Sequence, residues 1–154
     1  MSLETLDNLE KETIDQLKEL AQINLDSKEG FELVAQQTDD PQLQSLFRDG
    51  AQQRAGFLQE IKEALALSDA DTQISDSVAS HIHRWWISIR EKIQPSETVA
   101  LLSEAERGED TILDKYKTCV PKTAGSPLNA TLNAQFESIL AMRHRITELK
   151  NSLA

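Results

Sequence analysis

Two junctions in which a capping residue precedes a proline, Asp40-Pro41 and Ser126-Pro127, divide this chain into long helical segments. An Asp or Ser side chain accepts from the first unpaired backbone N–H groups of a helix. A proline at the first helical position sacrifices nothing, because that N–H has no partner inside the helix. Pro95-Ser96 does related work, Pro95 closing one segment and Ser96 capping the next. These signals predict helix one over 5–37, helix two over 41–67, a crossover helix over 76–93, helix three over 97–119 and helix four over 127–152. Five Gly and four Pro in 154 residues are too few for a β-rich chain, which needs a turn roughly every ten residues.

Each segment carries an apolar seam opposite a charged face, the pattern of helices that share one core. Helix two shows Leu43, Leu46, Phe47, Phe57, Leu58, Ile61 and Leu65; helix four shows Leu132, Phe136, Ile139, Met142, Ile146, Leu149 and Leu153. Helix one offers Leu6, Leu9, Leu17, Leu20, Phe31 and Val34, and helix three Val99, Leu102, Ala105, Ile112, Leu113 and Tyr116. About three residues join helices one and two, and a short Pro/Gly loop over 121–126 joins three and four, so each pair is antiparallel. The stretch 68–95 is long enough to travel back along the bundle and leave helices two and three parallel. Two antiparallel pairs joined by one long crossover is the ferritin-like arrangement. The expected fold is therefore an all-α, single-domain, ferritin-like four-helix bundle over 1–154, with an extra helix in the crossover.

Charge and composition narrow the functions. Sixteen basic against 26 acidic side chains give a net charge of −10, which repels nucleic-acid phosphates and anionic lipid. Nucleic-acid and membrane binding are not expected. No stretch is apolar enough to span a bilayer, and Met1-Ser2-Leu3-Glu4 does not open like a secretory signal, so the expected compartment is the cytoplasm. The single cysteine, Cys119, excludes an internal disulfide and any multi-cysteine zinc site.

Several segments carry a resemblance. Asp26-Ser27-Lys28-Glu29-Gly30-Phe31, Asp40-Pro41, Gln53-Arg54, Ser77-Val78-Ala79 with His83-Arg84, and Glu104-x-Glu106-Arg107-Gly108-Glu109-Asp110 with Tyr116 resemble an uncharacterised family. It is a family of bacterial ferritin-like four-helix-bundle proteins, a domain of unknown function of the DUF2383 type. The resemblance spans nearly the whole chain and implies the fold, but none of its motifs is catalytic. Gly108-Glu109 followed by Tyr116 also looks like the third-helix pattern of rubrerythrins, which would make Glu109 a metal ligand.

A di-iron or di-manganese centre in such a bundle takes one Glu from each of two helices and Glu-x-x-His from each of the others. The i, i+3 spacing places both side chains on one inward face. Here no Glu-x-x-His exists: His81, His83 and His144 follow Val78, Ser80 and Ala141 at that spacing. Helix two offers Gln53 and Gly56, and helix one Asn24 and Ser27. Glu109 alone is a carboxylate squarely in a seam. Glu109 and His144 are the candidate metal ligands, for iron or manganese, with Asp26, Glu29, Glu32 and Glu106 available if helix one is rotated. The more economical reading uses Arg54, which interrupts the seam of helix two near its midpoint as Glu109 interrupts helix three. With those helices parallel, the midpoints lie level, and a buried Arg54–Glu109 pair takes the place of the metal charge. Gln53, Tyr116 and His144 are expected to complete this central polar layer, since a buried ion pair must have its remaining donors and acceptors satisfied.

The remaining candidates are weaker. His81 and His83, two apart, point to different sides and cannot chelate one ion. Trp85 and Trp86 suit the cover of a groove between bundle helices, with an exposed one serving as a partner surface. Cys119 reads as a buried or bystander thiol, not a nucleophile. No phosphate-binding loop or nucleophile elbow occurs. Leu3, Leu6 and Leu9 form a stripe that would project beyond its neighbour helix, which favours a homodimer. The sequence thus points to a non-enzymatic ferritin-like protein acting through protein contacts, with a role in stress physiology by analogy of fold. A metal-binding oxidoreductase or iron handler is the alternative, and small-molecule binding in an apolar gap of the bundle a third.

Overall fold

The computed structural model describes residues 4–74 and 79–154, the side chains of 79–83 excepted. The described chain is all-helical, with no strand. Five α-helices follow one another: α1 (Lys11–Gln37), α2 (Pro41–Leu67), α3 (Ala79–Lys92), α4 (Thr98–Cys119) and α5 (Asn129–Leu153). A short 3₁₀ helix, Val120–Thr123, separates the last two.

The α2 boundary is set by its cap. Asp40 Oδ1 accepts from the backbone N–H groups of Gln42 at 2.8 Å and Leu43 at 3.4 Å, with Pro41 opening the helix. Other boundaries differ from expectation. Ser96 does not cap α4; Glu97 stands at that position, without a side-chain cap bond. Pro127 lies in a turn two residues before α5, where Ser126 Oγ accepts from the Leu128 N–H at 3.3 Å. The N-terminal segment differs most, because residues 5–10 are not helical and α1 begins at Lys11. One carboxylate explains this: Glu4 Oε1 accepts from the Glu10 N–H at 3.0 Å and from the Thr13 hydroxyl, folding the segment across the helix start. Leu9 is thereby buried against the core while Leu6 is left outside, so among the described residues Leu6 and Leu9 form no projecting helical stripe. Leu3 lies outside the described residues.

Helix α1 packs along α2 and against α4, while α5 packs along α4 and more lightly on α2. Contacts at both ends give the directions. Phe31 meets Gly50, and Ser68 Oγ accepts from the Leu9 N–H at 3.1 Å, so α1 and α2 are antiparallel. Asp110 pairs with Arg143 and Glu106 with Lys150, so α4 and α5 are antiparallel too. Two apolar clusters fill the interior. One holds Leu17, Leu20, Leu58, Ile61, Ile112 and Leu132, and the other Phe31, Leu43, Phe47, Leu101, Leu102 and Ile146. Helix α3 lies on the second cluster, burying Ile89 and half-burying Trp85, Trp86 and Ile93. Among the described residues, no helix is long and apolar enough to cross a membrane.

Candidate functional site

The two clusters are separated, on α1, α2 and α4, by a polar layer. It begins from Arg54, which falls between the inward Ala51 and Leu58 of α2 and is fully buried at 0% exposure. Its counterpart is Glu109, between Ala105 and Ile112 of α4, at 1%. Arg54 Nη1 donates to Glu109 Oε1 at 2.5 Å and Nη2 to Oε2 at 2.7 Å, a two-pronged arrangement matched to the guanidinium fork. The remaining donors are also used. Gln53 Oε1 accepts from Nε at 3.2 Å and from Nη2 at 3.0 Å, and Ser27 Oγ accepts from Nη1 at 2.8 Å. Burial pushes the Glu109 carboxyl above its ordinary range, and the Arg54 hydrogen bonds and charge oppose that push.

Tyr116, two turns along α4, anchors a second cluster of polar groups. Its hydroxyl accepts from Asn24 Nδ2 at 2.8 Å and donates to Gln135 Oε1 at 2.7 Å. Asn24 Nδ2 also donates to the Leu20 carbonyl at 2.8 Å, tying the amide to its own helix. Burial drives the phenol well above its usual pKa, so it serves here as a neutral donor and acceptor. Gln135 was not singled out by the sequence reading. The signal was present: Leu132, Gln135, Ile139, Met142 and Ile146 recur at alternating intervals of three and four, which puts Gln135 inward.

His144 does not join either layer. The same spacing places it two residues from both Met142 and Ile146, on the outward face of α5. It is 72% exposed there and meets Glu148 at 2.8 Å. Glu109 and His144 are therefore not brought together as ligands. Three of the four reserve carboxylates are engaged elsewhere: Glu32 pairs with Lys28 at 3.2 Å, Glu106 with Lys150 at 2.5 Å, and Asp26 accepts from Gln22 at 3.3 Å. Among the described residues, no group of three His, Cys, Asp or Glu is placed to hold a metal ion. The side chains of His81 and His83 lie outside the described residues.

Cys119 is buried, 3.7 Å from Glu19 Oε2, and burial with that carboxylate nearby pushes its thiol up to about 11. A thiol so placed is protonated at neutral pH and a poor nucleophile. Trp86 packs beneath the Arg90 guanidinium, 5.9 Å from ring centroid to Cζ, and Trp85 lies over α1 near Gly30.

What these features define is an all-helical protein whose centre is held by a buried Arg–Glu pair and a Tyr–amide cluster. The chain belongs to the family described as a domain of unknown function (DUF2383), which matches residues 12–122 and so includes α1 to α4 with every member of the Arg54–Glu109 layer. No curated protein and no solved structure is significantly similar to it.

Proposed function

We propose that this protein is a ferritin-like four-helix bundle in which an ion pair has replaced the metal centre, and that it acts without catalysis, through contacts with other proteins. The observation that carries the reading is the two-pronged, fully buried Arg54–Glu109 pair. A guanidinium supplies one fixed positive charge at the place where a ferritin-like centre holds its cations, and it occupies both oxygens of the seam carboxylate. Neighbouring positions support this: Asn24, Gln53 and Gln135 are amides, which offer no negative charge to balance a divalent ion. The mutual packing of α1, α2, α4 and α5, joined by one long crossover, supports the ferritin-like assignment.

The homodimer belongs to the same reading, on a patch that keeps only Leu6 of the leucine stripe. Leu6 and Leu67 are 51% and 60% exposed. The Ser68 hydroxyl, 3.4 Å from the Leu6 carbonyl, holds them at one end of the bundle. A second copy covering that end would remove both from water. A cytoplasmic setting and a role in stress physiology accompany the proposal by analogy of fold.

Elemental analysis of untagged protein, offered iron, manganese and zinc and then desalted, tests the central claim. Retention of less than a tenth of an equivalent supports it. About two equivalents of iron or manganese, lost in Glu109→Ala, would overturn it in favour of a metal-binding oxidoreductase or iron handler. Sedimentation equilibrium tests the dimer, which Leu67→Asp should dissociate; a wild-type monomer at all concentrations would exclude it.

A further inference from the structure

Between α1 and α4, outside the Arg54–Glu109 pair, lies a cavity of about 320 Å³. Ile23, Phe31 and Val34 form its α1 wall, Ala105 and Ile112 its α4 wall, and Trp85 of α3 closes one side. Its lining also includes the buried Glu109 and the half-buried Ser27.

Two helix-interior glycines line it. A Cβ at Gly30 would stand 3.8 Å from the Trp85 ring, an ordinary van der Waals contact. Gly108 has still more room. A Cβ at Gly108 would meet nothing within 4 Å, and its backbone is not in the left-handed region. Glycine lowers helix stability, and no neighbouring atom requires it here. Gly108 lies in the cavity lining, and a side chain added there would have open space beside it.

The chemistry of the lining selects among ligands. Each Glu109 oxygen accepts one hydrogen bond from Arg54, which leaves each a further lone pair. A donor at the ligand's inner end is therefore favoured. Around the cavity Asp26, Glu104 and Glu109 stand against Arg107, and Arg54 neutralises Glu109, so the lining is weakly negative on a chain of net charge −10. An anionic ligand is disfavoured on both counts. The volume suits a molecule of one or two rings, and the faces of Trp85 and Phe31 suit an aromatic one.

We propose that this cavity binds a neutral one- or two-ring aromatic molecule that carries a single hydroxyl or N–H donor directed at Glu109 and Ser27. The proposal rests on the ion-pair reading, because Glu109 is both the acceptor it invokes and one half of that pair; metal analysis of the same protein tests that reading separately.

Titration calorimetry with 2-naphthol, against 2-naphthoate as the anionic counterpart and naphthalene as the one without a donor, provides the test. The expected result is saturable one-to-one binding of 2-naphthol, with both comparators at least tenfold weaker. Gly108→Leu places a side chain in the open mouth and should weaken 2-naphthol binding at least tenfold without lowering the melting temperature. In Trp86→Phe, where Trp85 is the chain's one tryptophan, the indole N–H resonance should shift on saturation. The proposal is overturned by no saturable binding up to the solubility limit, by binding that Gly108→Leu leaves unchanged, by 2-naphthoate binding as tightly, or by an unmoved Trp85 resonance.

Discussion

Arg54 Cζ stands 5.3 Å from the centroid of the Phe31 ring, so the guanidinium that grips Glu109 at its edge is covered on its face by an aromatic ring. The same ring meets Gly50 one turn earlier on α2, where a Cβ would stand 2.9 Å from three of its atoms. Phe31 is thus a shared wall, holding the arginine from one side and requiring a glycine on the other. The ring is buried, and any shift that makes room for a Cβ draws it off the guanidinium it covers. Gly50→Ala should therefore destabilise the fold by about 1–3 kcal/mol despite alanine's better helix propensity. Gly56→Ala, on the open face of the same helix, should stabilise it by up to ~1 kcal/mol. Urea unfolding of the two variants checks the contrast, and an equal response at both positions would refute the packing argument.

The ion pair predicts a non-additive pattern. Glu109→Ala or Arg54→Ala alone leaves a buried, uncompensated charge and should cost about 3–5 kcal/mol. Replacing both with apolar residues, as in Arg54→Met with Glu109→Leu, should recover most of that loss. A double-mutant cycle by urea unfolding measures the coupling. Simple addition of the two single losses would mean that the partners do not depend on each other.

Tyr116→Phe removes one hydroxyl and deprives both Asn24 and Gln135 of a partner. The expected cost is about 1–3 kcal/mol, the penalty for orphaned buried polar groups. Chemical denaturation reads it directly, and a loss below a few tenths would show that the two amides find other partners.

Cys119 should be chemically silent in the folded protein. Its thiol, raised to about 11, is almost wholly protonated at pH 8 and shielded from solvent. Reaction with a disulfide reagent should be at least a hundredfold slower in native protein than after denaturation. A fast native reaction would contradict the burial.

Acid stability should depend on Glu106. Burial pushes its carboxyl up, but hydrogen bonds from Lys150 and Thr147 outweigh that and hold it below its ordinary value of 4.5. The unfolded state therefore binds the proton more readily. The contribution is fully present above about pH 4.5 and is lost as pH falls through the lower, folded value. Glu106→Gln should be less stable than wild type at neutral pH and converge on it in acid. Melting temperatures across that range decide the point, and a gap that persists unchanged at low pH would count against it.

The parts legible in the sequence were those with local causes. Asp40-Pro41 marks the start of α2 because cap and proline act within one turn. Arg54 and Glu109 announced themselves as charges in otherwise apolar seams, and only a charge of opposite sign makes such a position tolerable. The N-terminal segment was misread for lack of tertiary information, and His144 against the spacing of its own seam. A histidine beside a seam resembles one within it until the helix phase is fixed by Met142 and Ile146. The leucines at 6 and 9 continue a helical pattern, yet the Glu4 carboxylate, contacting Glu10 and Thr13, stops the helix short. Gln135 was overlooked because a neutral amide does not stand out from a polar face, although its spacing placed it inward.

The Arg54–Glu109 pair joins a residue of the first helical hairpin to one of the second, 55 positions away along the chain. Apolar seams alone tolerate sliding, since a leucine displaced by one turn meets another leucine. A guanidinium displaced by one turn, about 5.4 Å, meets a hydrocarbon wall and loses both prongs. The pair therefore acts as a registration pin: it admits one longitudinal alignment of the two hairpins and penalises every other.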